Sequence, residues 1–460
     1  MKSLTRLVLP DVKDMLEHDE QSLLADELTQ LHPADVADIV ETLDHPDRVR
    51  LIDVLPEDYR AQVFEHLQDA IQVDLLERLD KHSAAELLGE MASDERTDVL
   101  KEMEEGERNE LIDLLEAPER KEARELLSYP EGSAGAVMTK EFVHVAPDTT
   151  ASETMARIRA VAAEMETVYY IYVLDRQGRL QGVLSMRDLV MADPMSAVAG
   201  IMMPDSVTVL VTEDQEEVAK KMANYDFLAI PVVDQNGRML GIITHDDVVD
   251  ILHQEQEEDM QKLGAMQPLE DPYLMTSFWS LFRKRIPWLA LLFFGEMFTY
   301  TVMAHYEEML KSAIFLSLFV PLILSSGGNS GSQSATLVIR AIATGEVRVA
   351  QWVMVAGREL LMGTALGLSL GIVGFFRALL FGNASVWHAG ATAVWTAAAV
   401  GTSVVAVVIT GTAVGALLPI LFKRLRLDPA VTSNPFVASM CDVLGLFVYF
   451  NVARMFLTEL

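Results

Sequence analysis

YYIYVLDRQGRLQGVLSMRDLV (residues 169–190) recurs as LAIPVVDQNGRMLGIITHDDVV (residues 228–249). Both copies contain acids and glycines that correspond at a constant offset of 59: Asp175, Gly178, Gly182 and Asp188 match Asp234, Gly237, Gly241 and Asp247. Each copy is typical of an apolar strand, a turn with glycine, a second strand and a Ser/Thr-x-x-Asp sequence that opens a helix. The repeat therefore predicts two copies of one small α/β unit.

A matching lead-in precedes each copy, AVMTKEFVHVAPDTTASETM (residues 136–155) and GIMMPDSVTVLVTEDQEEVA (residues 200–219). With these segments included, the tandem repeat resembles a pair of CBS domains, which dock on each other and on a second pair. We assign residues 133–252 to this α/β CBS pair.

The N-terminal segment repeats with a period near twelve residues, as in HPADVADIVETL (residues 32–43) and EEGERNELIDLL (residues 104–115). Its units open with proline, serine or an acid and mostly close on leucine, which predicts short helices with a first-turn proline or acid and an apolar stripe. Helices this short are unstable alone, so we expect them to stack into a superhelix. We assign residues 1–132 to this all-α, acidic N domain, for which a generic helical scaffold is the alternative.

Charge divides the chain of 460 residues into two unlike parts. Residues 286–460 carry eight acids and nine bases, whereas the first 285 residues carry 60 and 27. The hydrophobic content of 50% argues against a disordered chain, and the acidic balance argues against a nucleic-acid partner bound through a basic surface. The only cysteine, Cys441, excludes an intramolecular disulfide and a cysteine-based zinc site. The N-terminus has no long apolar core of a signal peptide, so we expect the acidic part to stay in the cytoplasm.

The C-terminal part, residues 286–460, contains apolar stretches that are each long enough for the roughly 20 residues of a spanning helix. They lie at residues 287–304, 313–339, 352–376, 391–422 and 431–457. Bases at 283–285, 340, 348, 423, 424 and 426 fall on one side if the N-terminus is inside, whereas Lys311, Arg377 and Arg454 are exceptions. We therefore predict an α-helical domain of five spans in the plasma (inner) membrane, with cytoplasmic N-terminal domains and the C-terminus outside.

The second of these stretches carries an unusual polar segment, VPLILSSGGNSGSQSATLVIR (residues 320–340). Pro321 and its glycines weaken a helix at membrane depth, and broken backbone is tolerated there only inside protein or beside a wet cavity. We expect a pore or substrate path at this segment, with close helix packing as the alternative.

Three acids lie inside the predicted spans: Asp442, Glu296 and Glu359. A carboxylate at mid-membrane costs on the order of 3 kcal/mol, so Asp442 should face water or an ion. A single acid such as Asp442 in each chain suits a symmetric pore in which the copies of Asp442 from several subunits converge on an axis. Hydrated Mg²⁺ fits so few direct ligands, although Co²⁺, Mn²⁺ and Ca²⁺ stay open. Glu296 and Glu359 serve either transport or a hydrogen bond to a neighbouring helix.

An acidic helix, HDDVVDILHQEQEEDMQKLGAMQ (residues 245–267), follows the α/β repeat. Between Asp246 and Lys262 it carries seven acids and this one lysine. Such a run forms either a solvated face or a cation-binding surface. We assign residues 245–285 to this connecting helix and its linker.

Together these features resemble the MgtE-type magnesium channel family, over almost the whole chain. The most specific motifs are SGGNSGSQSATLVIRAIATGE (residues 326–346) and DPAVTSNPFVASMCDVLGLFVYF (residues 428–450). The resemblance implies a homodimer in the lipid bilayer with the ion path along the dimer axis. It implies Asp442 as the selectivity carboxylate, with Asn434 and Ala438 as neighbours on the pore-lining helix. It also implies Asp428 at the cytoplasmic mouth, and both Asp442 and Asp428 as Mg²⁺ ligands.

The resemblance also implies that bound Mg²⁺ closes the channel by neutralising facing acids and drawing the connecting helix over the pore as a plug. Two unit charges 4 Å apart repel by about 4 kcal/mol at an effective dielectric of 20. The implied Mg²⁺-sensing acids are Asp94, Asp98, Glu216, Asp226, Asp247, Asp250, Glu255, Glu258 and Asp259.

Family members can bind ATP in the CBS pair. By resemblance, the nucleotide residues are Tyr170, Ser185, Arg187, Asp188, Phe227 and Ile230. Ser185 and Asp188 would equally form a helix N-terminus. The chain has no P-loop and no constellation of nucleophile and base, so we expect neither hydrolysis nor enzyme activity.

We therefore expect a Mg²⁺-gated channel for Mg²⁺ uptake, with ATP as a regulatory ligand. Two alternatives stay open. One is a membrane-anchored ion or nucleotide sensor that transports nothing, and the other is a proton-coupled divalent-cation transporter that uses the three membrane acids as a relay.

Overall fold

The computed structural model describes residues 3–18, 21–162, 165–269, 273, 276–381 and 391–457. The chain divides into two compact units, Met1–Glu255 and Gln256–Leu460. The first holds short helices followed by an α/β repeat, and the second is helical. The predicted multidomain class, with a helical N domain, a tandem α/β repeat and a helical C-terminal region, is confirmed. The predicted boundaries at 132, 252 and 285 stay predictions.

The first unit begins with short helices that stack in alternation, α3 on α5, α5 on α7 and α7 on α9. Their bounds are α1 (Ser3–Glu17), α2 (Gln21–Leu28), α3 (Pro33–Thr42), α4 (His45–Val54), α5 (Glu57–Glu65), α6 (Asp69–Arg78), α7 (Lys81–Glu90), α8 (Ser93–Glu102), α9 (Glu105–Leu114) and α10 (Ala117–Leu126). Proline opens α3, α4 and α10, where a missing N–H costs nothing. Leucines and isoleucines that recur with the sequence period form one continuous apolar core. No helix here could bury its stripe alone, which explains the superhelix.

The α/β repeat folds as two equivalent halves. The first half contains β1 (Phe142–Val145), α11 (Ala151–Val161), β2 (Thr167–Leu174), β3 (Leu180–Ser185) and α12 (Met186–Met191). The second contains β4 (Val209–Leu210), α13 (Gln215–Tyr225), β5 (Ala229–Val233) and β6 (Met239–Thr244). In the described residues the strands form two three-stranded sheets, ordered β1-β2-β3 and β4-β5-β6, each with one parallel and one antiparallel pair.

The strand register reproduces the sequence repeat. Tyr170 lies opposite Ser185 in the first sheet, and Ala229 lies opposite Thr244 in the second, at the same offset. Both connecting turns need a left-handed residue, which Gly178 provides at φ +77° and Gly237 at φ +76°. Residues that correspond in the sequence repeat therefore occupy equivalent positions in the two sheets.

The second unit contains long helices. The helix α14 (His245–Leu263) begins in the first unit, directly after the α/β repeat as the sequence predicts, and ends in the second. It is followed by α15 (Phe278–His305), α16 (Glu307–Ser312), α17 (Phe315–Ala343), α18 (Trp352–Phe381), α19 (Ala391–Arg424) and α20 (Asn434–Leu457). Among the described residues, four stretches are long and apolar enough to cross a membrane: Phe278–His305, Val349–Leu380, Ala393–Arg424 and Asn434–Phe456. The helix α17 is of similar length, 29 residues, but its polar middle lowers its hydropathy. It coincides with the second of the five predicted stretches, residues 313–339.

The expected break in α17 is wrong, because the helix runs unbroken through Pro321 and the polar segment. Its glycines instead allow close packing against α19. A Cβ added at Gly411 would lie 2.5 Å from the carbonyl oxygen of Gly327, and one at Gly415 would collide with the carbonyl oxygen of Gly331. Packing against α19 on one side and α20 on the other keeps the glycine-rich segment helical.

The two equivalent glycines of the α/β repeat also mark close approaches. A Cβ at Gly182 would lie 2.6 Å from the carbonyl oxygen of Met203, and one at Gly241 would lie 2.5 Å from that of Thr139. Gly200 has no heavy atom within 4 Å of its would-be Cβ and has no positive φ, so it provides a matched control.

We predict that Gly241→Ala destabilises the protein by about 1–3 kcal/mol, because the added methyl group meets backbone that cannot rotate away. Chemical denaturation of the full-length protein, followed by hydrogen exchange in β5 and β6, measures this. Gly200→Ala should change the free energy of unfolding by less than about 0.5 kcal/mol. Equal effects of the two substitutions would contradict the packing described here.

Candidate functional site

The membrane candidates Asn434, Ala438 and Asp442 lie on one face of α20, because they are four residues apart. All three are half-buried, and this face meets α17 at Gly328. A Cβ added at Gly328 would lie 3.6 Å from the Cβ of Ala438 and 3.7 Å from Oδ1 of Asp442. The missing side chain at Gly328 therefore brings the Asp442 carboxylate close to the backbone of α17.

Two hydroxyl groups of α17 extend this contact towards the start of α20. Ser332 Oγ donates to the carbonyl oxygen of Asn434 (3.2 Å), and Thr336 Oγ1 donates to its side-chain Oδ1 (3.0 Å). Gly328, Ser332 and Thr336 also recur every four residues, so they face α20 together. Our sequence analysis missed Ser332 and Thr336, although this spacing could have revealed them.

A polar row of α17 stays exposed on the single chain. Ser325, Asn329 and Gln333 are exposed, and Asn329 Nδ2 donates to Ser325 Oγ (3.2 Å). Amide and hydroxyl groups are unfavourable against lipid, so this row requires water or protein beside it.

The other two membrane acids have different surroundings. Glu359 on α18 accepts a hydrogen bond from the buried Ser334 Oγ of α17 (2.7 Å). Glu296 on α15 lies close enough to Asp442 for the two carboxylates to repel each other. Glu359 thus ties two helices together, whereas Glu296 adds negative charge near Asp442.

At the entrance to α20, Asp428 performs two tasks. Its Oδ1 accepts from the backbone N–H of Ala430 (2.9 Å) and so caps the short 3-10 helix Pro429–Val431. Its Oδ2 accepts from Lys262 Nζ (2.7 Å), and Lys262 also pairs with Glu258 Oε1 (2.7 Å). Two of the implied Mg²⁺-binding acids therefore meet around one ammonium group.

In the first unit, Asp94 and Asp98 of α8 lie near Asp247 of α14. Asp94 is 5% exposed, and its pKa is raised well above the usual range by burial and by repulsion from Asp247 and Glu166. Burial raises the pKa of Asp247 to about 6, with repulsion from Asp98 adding to this and hydrogen bonds from Thr244 opposing it. These implied sensor acids thus interact at short range.

Three more acids form one acidic cluster with Asp94 and Asp247, and our sequence analysis missed these three. Burial, together with repulsion from Glu65, raises the pKa of Glu95 to about 8. Burial and neighbouring carboxylates likewise raise the pKa values of Glu141 and Glu166 to about 7. These acids look like any others in the sequence, since only the packing of the N domain against the α/β repeat withdraws them from water.

The remaining implied sensor acids lie on α13 and α14 or at their ends, and several of them have ordinary structural roles. Glu216 pairs with Lys220 (2.8 Å), and Asp226 forms the left-handed C-cap of α13 at φ 52°. Glu255 accepts from Gln215 Nε2 (2.8 Å). Burial raises the pKa of Asp250, and Asp259 lies further along α14.

Among the described residues, no group of three or more His, Cys, Asp or Glu side chains is arranged to hold a metal ion directly. Carboxylate oxygens are nevertheless the donors that Mg²⁺ prefers, and Mg²⁺ usually keeps several of its waters. The cluster therefore fits hydrated Mg²⁺ bound largely through water.

The implied nucleotide residues are only partly assembled. Tyr170 lies opposite Ser185, whose Oγ donates to Asp188 Oδ2 (2.6 Å) and accepts from its backbone N–H (3.1 Å). The alternative role of this pair, capping α12, is therefore present. Phe227 stacks on Tyr225 with ring centroids 5.2 Å apart. Ile230 is fully buried in β5, and Arg187 lies exposed on α12.

Thr244, the position in the second half that is equivalent to Ser185, lines a cavity of about 510 Å³. Its walls include Glu166, Asp246, Asp250 and Thr244, and Thr244 Oγ1 donates to Asp247 Oδ2 (2.7 Å). Three carboxylates in one wall disfavour a phosphate group and favour a cation.

Comparisons with known families match most of the chain. Residues 320–452 match the family model described as a divalent cation transporter (MgtE), and residues 31–132 match the MgtE intracellular N domain. Residues 134–194 and 198–254 match the CBS domain.

Individual relatives agree. The magnesium transporter MgtE of Thermus thermophilus is 44% identical over 324 residues, which cover 70% of each chain. That of Enterococcus faecalis is 33% identical over 71% of this chain and 69% of its own. A crystal structure of the soluble part of a magnesium transporter covers 55% of this chain and 99% of its own, with a TM-score of 0.52 and 32% identity. The cytosolic domain of the Mg²⁺ channel MgtE in complex with ATP covers 53% and 99%, with a TM-score of 0.51 and 39% identity.

The raised pKa values in the first unit predict a pH-dependent stability in Mg²⁺-free buffer. Glu95, Glu141 and Glu166 have native pKa values of about 8, 7 and 7, against 4.5 for an unperturbed Glu. From about pH 5 to pH 8 the native state therefore binds more protons than the unfolded state, so the free energy of unfolding falls as pH rises. We expect hydrogen-exchange protection factors of α8 in the full-length protein to drop about tenfold or more across this range.

Glu166→Gln removes one titrating group and should flatten this slope, whereas Glu86→Gln, at an exposed position, should not. Protection that is constant or rises between pH 5 and pH 8 would contradict the crowding of these acids.

Proposed function

The chain belongs to the MgtE family of magnesium transporters, and from that membership we propose that it is a Mg²⁺-selective channel for Mg²⁺ uptake that cytoplasmic Mg²⁺ closes. Membership makes it a multi-pass membrane transporter of Mg²⁺ with cytoplasmic N-terminal domains. The channel mechanism, the gate, the dimer and an outside C-terminus are the proposal.

The position of Asp442 carries the proposal. This carboxylate lies within a span, half-buried, beside the bare backbone of Gly328 and in line with Ala438 and Asn434. A charge at this depth is tolerated beside water or an ion. One carboxylate beside the bare backbone of α17 suits a Mg²⁺ ion that keeps its inner waters and is recognised through them.

We propose that the functional form is a homodimer with the path between the copies. The exposed row of Ser325, Asn329 and Gln333 supports this, because lipid is a poor neighbour for it and a second copy across a wet path is a good one. Two Asp442 carboxylates would then face one axis and attract a divalent cation.

For the gate, we propose that the crowded acids of the first unit respond to cytoplasmic Mg²⁺. Without divalent ions, Asp94, Glu95, Glu166 and Asp247 repel one another or take up protons. Hydrated Mg²⁺ relieves that repulsion and favours the arrangement in which the acids lie together. Differential ion binding then shifts the population towards the closed channel.

ATP is the regulatory ligand that we propose for the α/β repeat. The related cytosolic domain that was crystallised with ATP supports this. In this chain Tyr170, Ser185, Arg187 and Asp188 of the first half provide an aromatic ring, a hydroxyl, a guanidinium and a carboxylate. The acidic wall of the equivalent cavity in the second half disfavours a second nucleotide there.

A proton-coupled transporter is the second candidate, because Glu296 adds a second carboxylate near Asp442 and acids inside spans serve as proton relays. It requires Mg²⁺ uptake that a pH gradient accelerates, whereas the channel requires uptake that follows voltage and the Mg²⁺ gradient alone.

We predict that Asp442→Asn lowers Mg²⁺ flux about tenfold or more, because it removes a charged interaction worth about 1.5–3 kcal/mol. Flux into proteoliposomes that contain a Mg²⁺-sensitive dye measures this. Glu308→Gln, the same change of charge at an exposed position on α16, should leave the flux unchanged. Equal flux through Asp442→Asn and the wild type would exclude Asp442 from the path. Acceleration of wild-type flux by a pH gradient would favour the coupled transporter.

A further inference from the structure

Lys262, the one lysine between Asp246 and the end of α14, lies between two carboxylates. Its Nζ is 2.7 Å from Oε1 of Glu258, one helical turn earlier, and 2.7 Å from Oδ2 of Asp428, which is 166 residues further along the chain. The first contact lies within α14, whereas the second joins α14 to the loop that leads into α20. Lys262 therefore links the end of the acidic helix to the entrance of the helix that carries Asp442.

The Asp428 carboxylate is held in place for this contact. Its other oxygen caps the 3-10 helix Pro429–Val431 through the N–H of Ala430 (2.9 Å). Burial alone would lower the pKa of Lys262, but its hydrogen bonds to Asp428 and Glu258 outweigh burial and raise the pKa. The ammonium group therefore stays charged throughout the physiological range.

An apolar contact adjoins this ion pair. The next residue, Leu263, packs against a buried cluster contributed by α17 and α20. Its members are Ala335, Ile339, Val437 and Cys441. The α20 members of this cluster lie close to the pore candidates in sequence, since Val437 is three residues after Asn434 and Cys441 directly precedes Asp442.

The helix then ends sharply, which fixes its last turn. Ala265 adopts a left-handed conformation at φ +58°, and Gln261 Oε1 accepts from the backbone N–H of Leu269 (2.6 Å). Three features thus hold the end of α14. The helix ends at the left-handed Ala265, Leu263 packs against the apolar cluster, and Lys262 pairs with two carboxylates.

We propose that Lys262 is a built-in cation that takes the place of a divalent ion between Glu258 and Asp428 and thereby sets the cytoplasmic Mg²⁺ concentration at which the channel closes. Two facing carboxylates repel unless a cation lies between them. A tethered ammonium is present at any Mg²⁺ concentration, so the docked end of α14 is stabilised even when Mg²⁺ is scarce. This proposal rests on the proposed function, and it assigns Lys262 as a positioning residue for Asp428.

Mg²⁺-dependent closure tests this proposal in proteoliposomes with Mg²⁺ varied on the cytoplasmic face. Lys262→Met removes the charge and retains the length of the side chain. It should raise the Mg²⁺ concentration for half-closure about threefold to tenfold, the range that one or two partly exposed ion pairs generate. Lys262→Arg should retain the wild-type value. Lys311→Met, which breaks an exposed i,i+4 pair with Glu307 (2.6 Å), is the matched control and should have no effect.

A double-mutant cycle isolates the contact with Asp428. Asp428→Asn removes the charge but keeps an acceptor for the Ala430 N–H, because asparagine caps as well as aspartate does. If Lys262 acts through Asp428, then Lys262→Met should shift half-closure much less in the Asp428→Asn background than in the wild type. Equal shifts in both backgrounds would overturn the proposal.

Hydrogen exchange gives a measurement that does not depend on transport. In Mg²⁺-free buffer, Lys262→Met should lower the protection of residues 256–263 in the full-length protein, whereas Lys311→Met should not. If the wild type closes but Lys262→Met leaves either the protection of these residues or the Mg²⁺ concentration for half-closure unchanged, the role of Lys262 alone would be overturned. Wild-type protein that transports no Mg²⁺, or never closes, would overturn the proposed function instead, while the exchange measurement would still decide whether the contact stabilises α14.

Discussion

Carboxylates that are crowded together or withdrawn from bulk water are the constraint on which the rest of this structure depends. Each must be neutralised, and the protein provides a different partner at each place. In the first unit, Glu95 and Glu166 hold protons at pH values where glutamate is normally charged. In the second, the ammonium of Lys262 lies between Glu258 and Asp428. At Asp442 we propose that the partner is the transported Mg²⁺. In our proposal a divalent cation neutralises the acids of the first unit and is the partner at Asp442, so sensing and conduction would have one physical cause.

The scaffold is built to bring these charges together. Short helices that cannot stand alone stack into a superhelix whose α8 presents Asp94 and Glu95. The α/β repeat contributes Glu166, and α14 contributes Asp247. In the membrane unit, glycines rather than large side chains line the contacts of α17, so the Asp442 carboxylate meets backbone instead of being covered by a side chain.

The sequence was most informative where a feature is local or repeated. The offset of 59 residues reappears in the strand register of both sheets, and the period near twelve reappears in the stacked helices. The spacing of Asn434, Ala438 and Asp442 places them on one face because a helix has 3.6 residues per turn. Features that depend on distant packing were missed: the burial of Glu95, Glu141 and Glu166, and the bonds from Ser332 and Thr336. The break that the sequence predicted in α17 is wrong, because helix propensity was weighed without the neighbouring helices that stabilise the glycine-rich segment.

Electrical recording from inside-out membrane patches, with cytoplasmic Mg²⁺ stepped from zero to tens of millimolar, tests the central claim most directly. If Mg²⁺ closes the path by relieving repulsion between carboxylates, inward Mg²⁺ current should be largest without cytoplasmic Mg²⁺ and should fall steeply as its concentration rises. Current that is independent of cytoplasmic Mg²⁺ would leave a pore without this gate and would contradict the account.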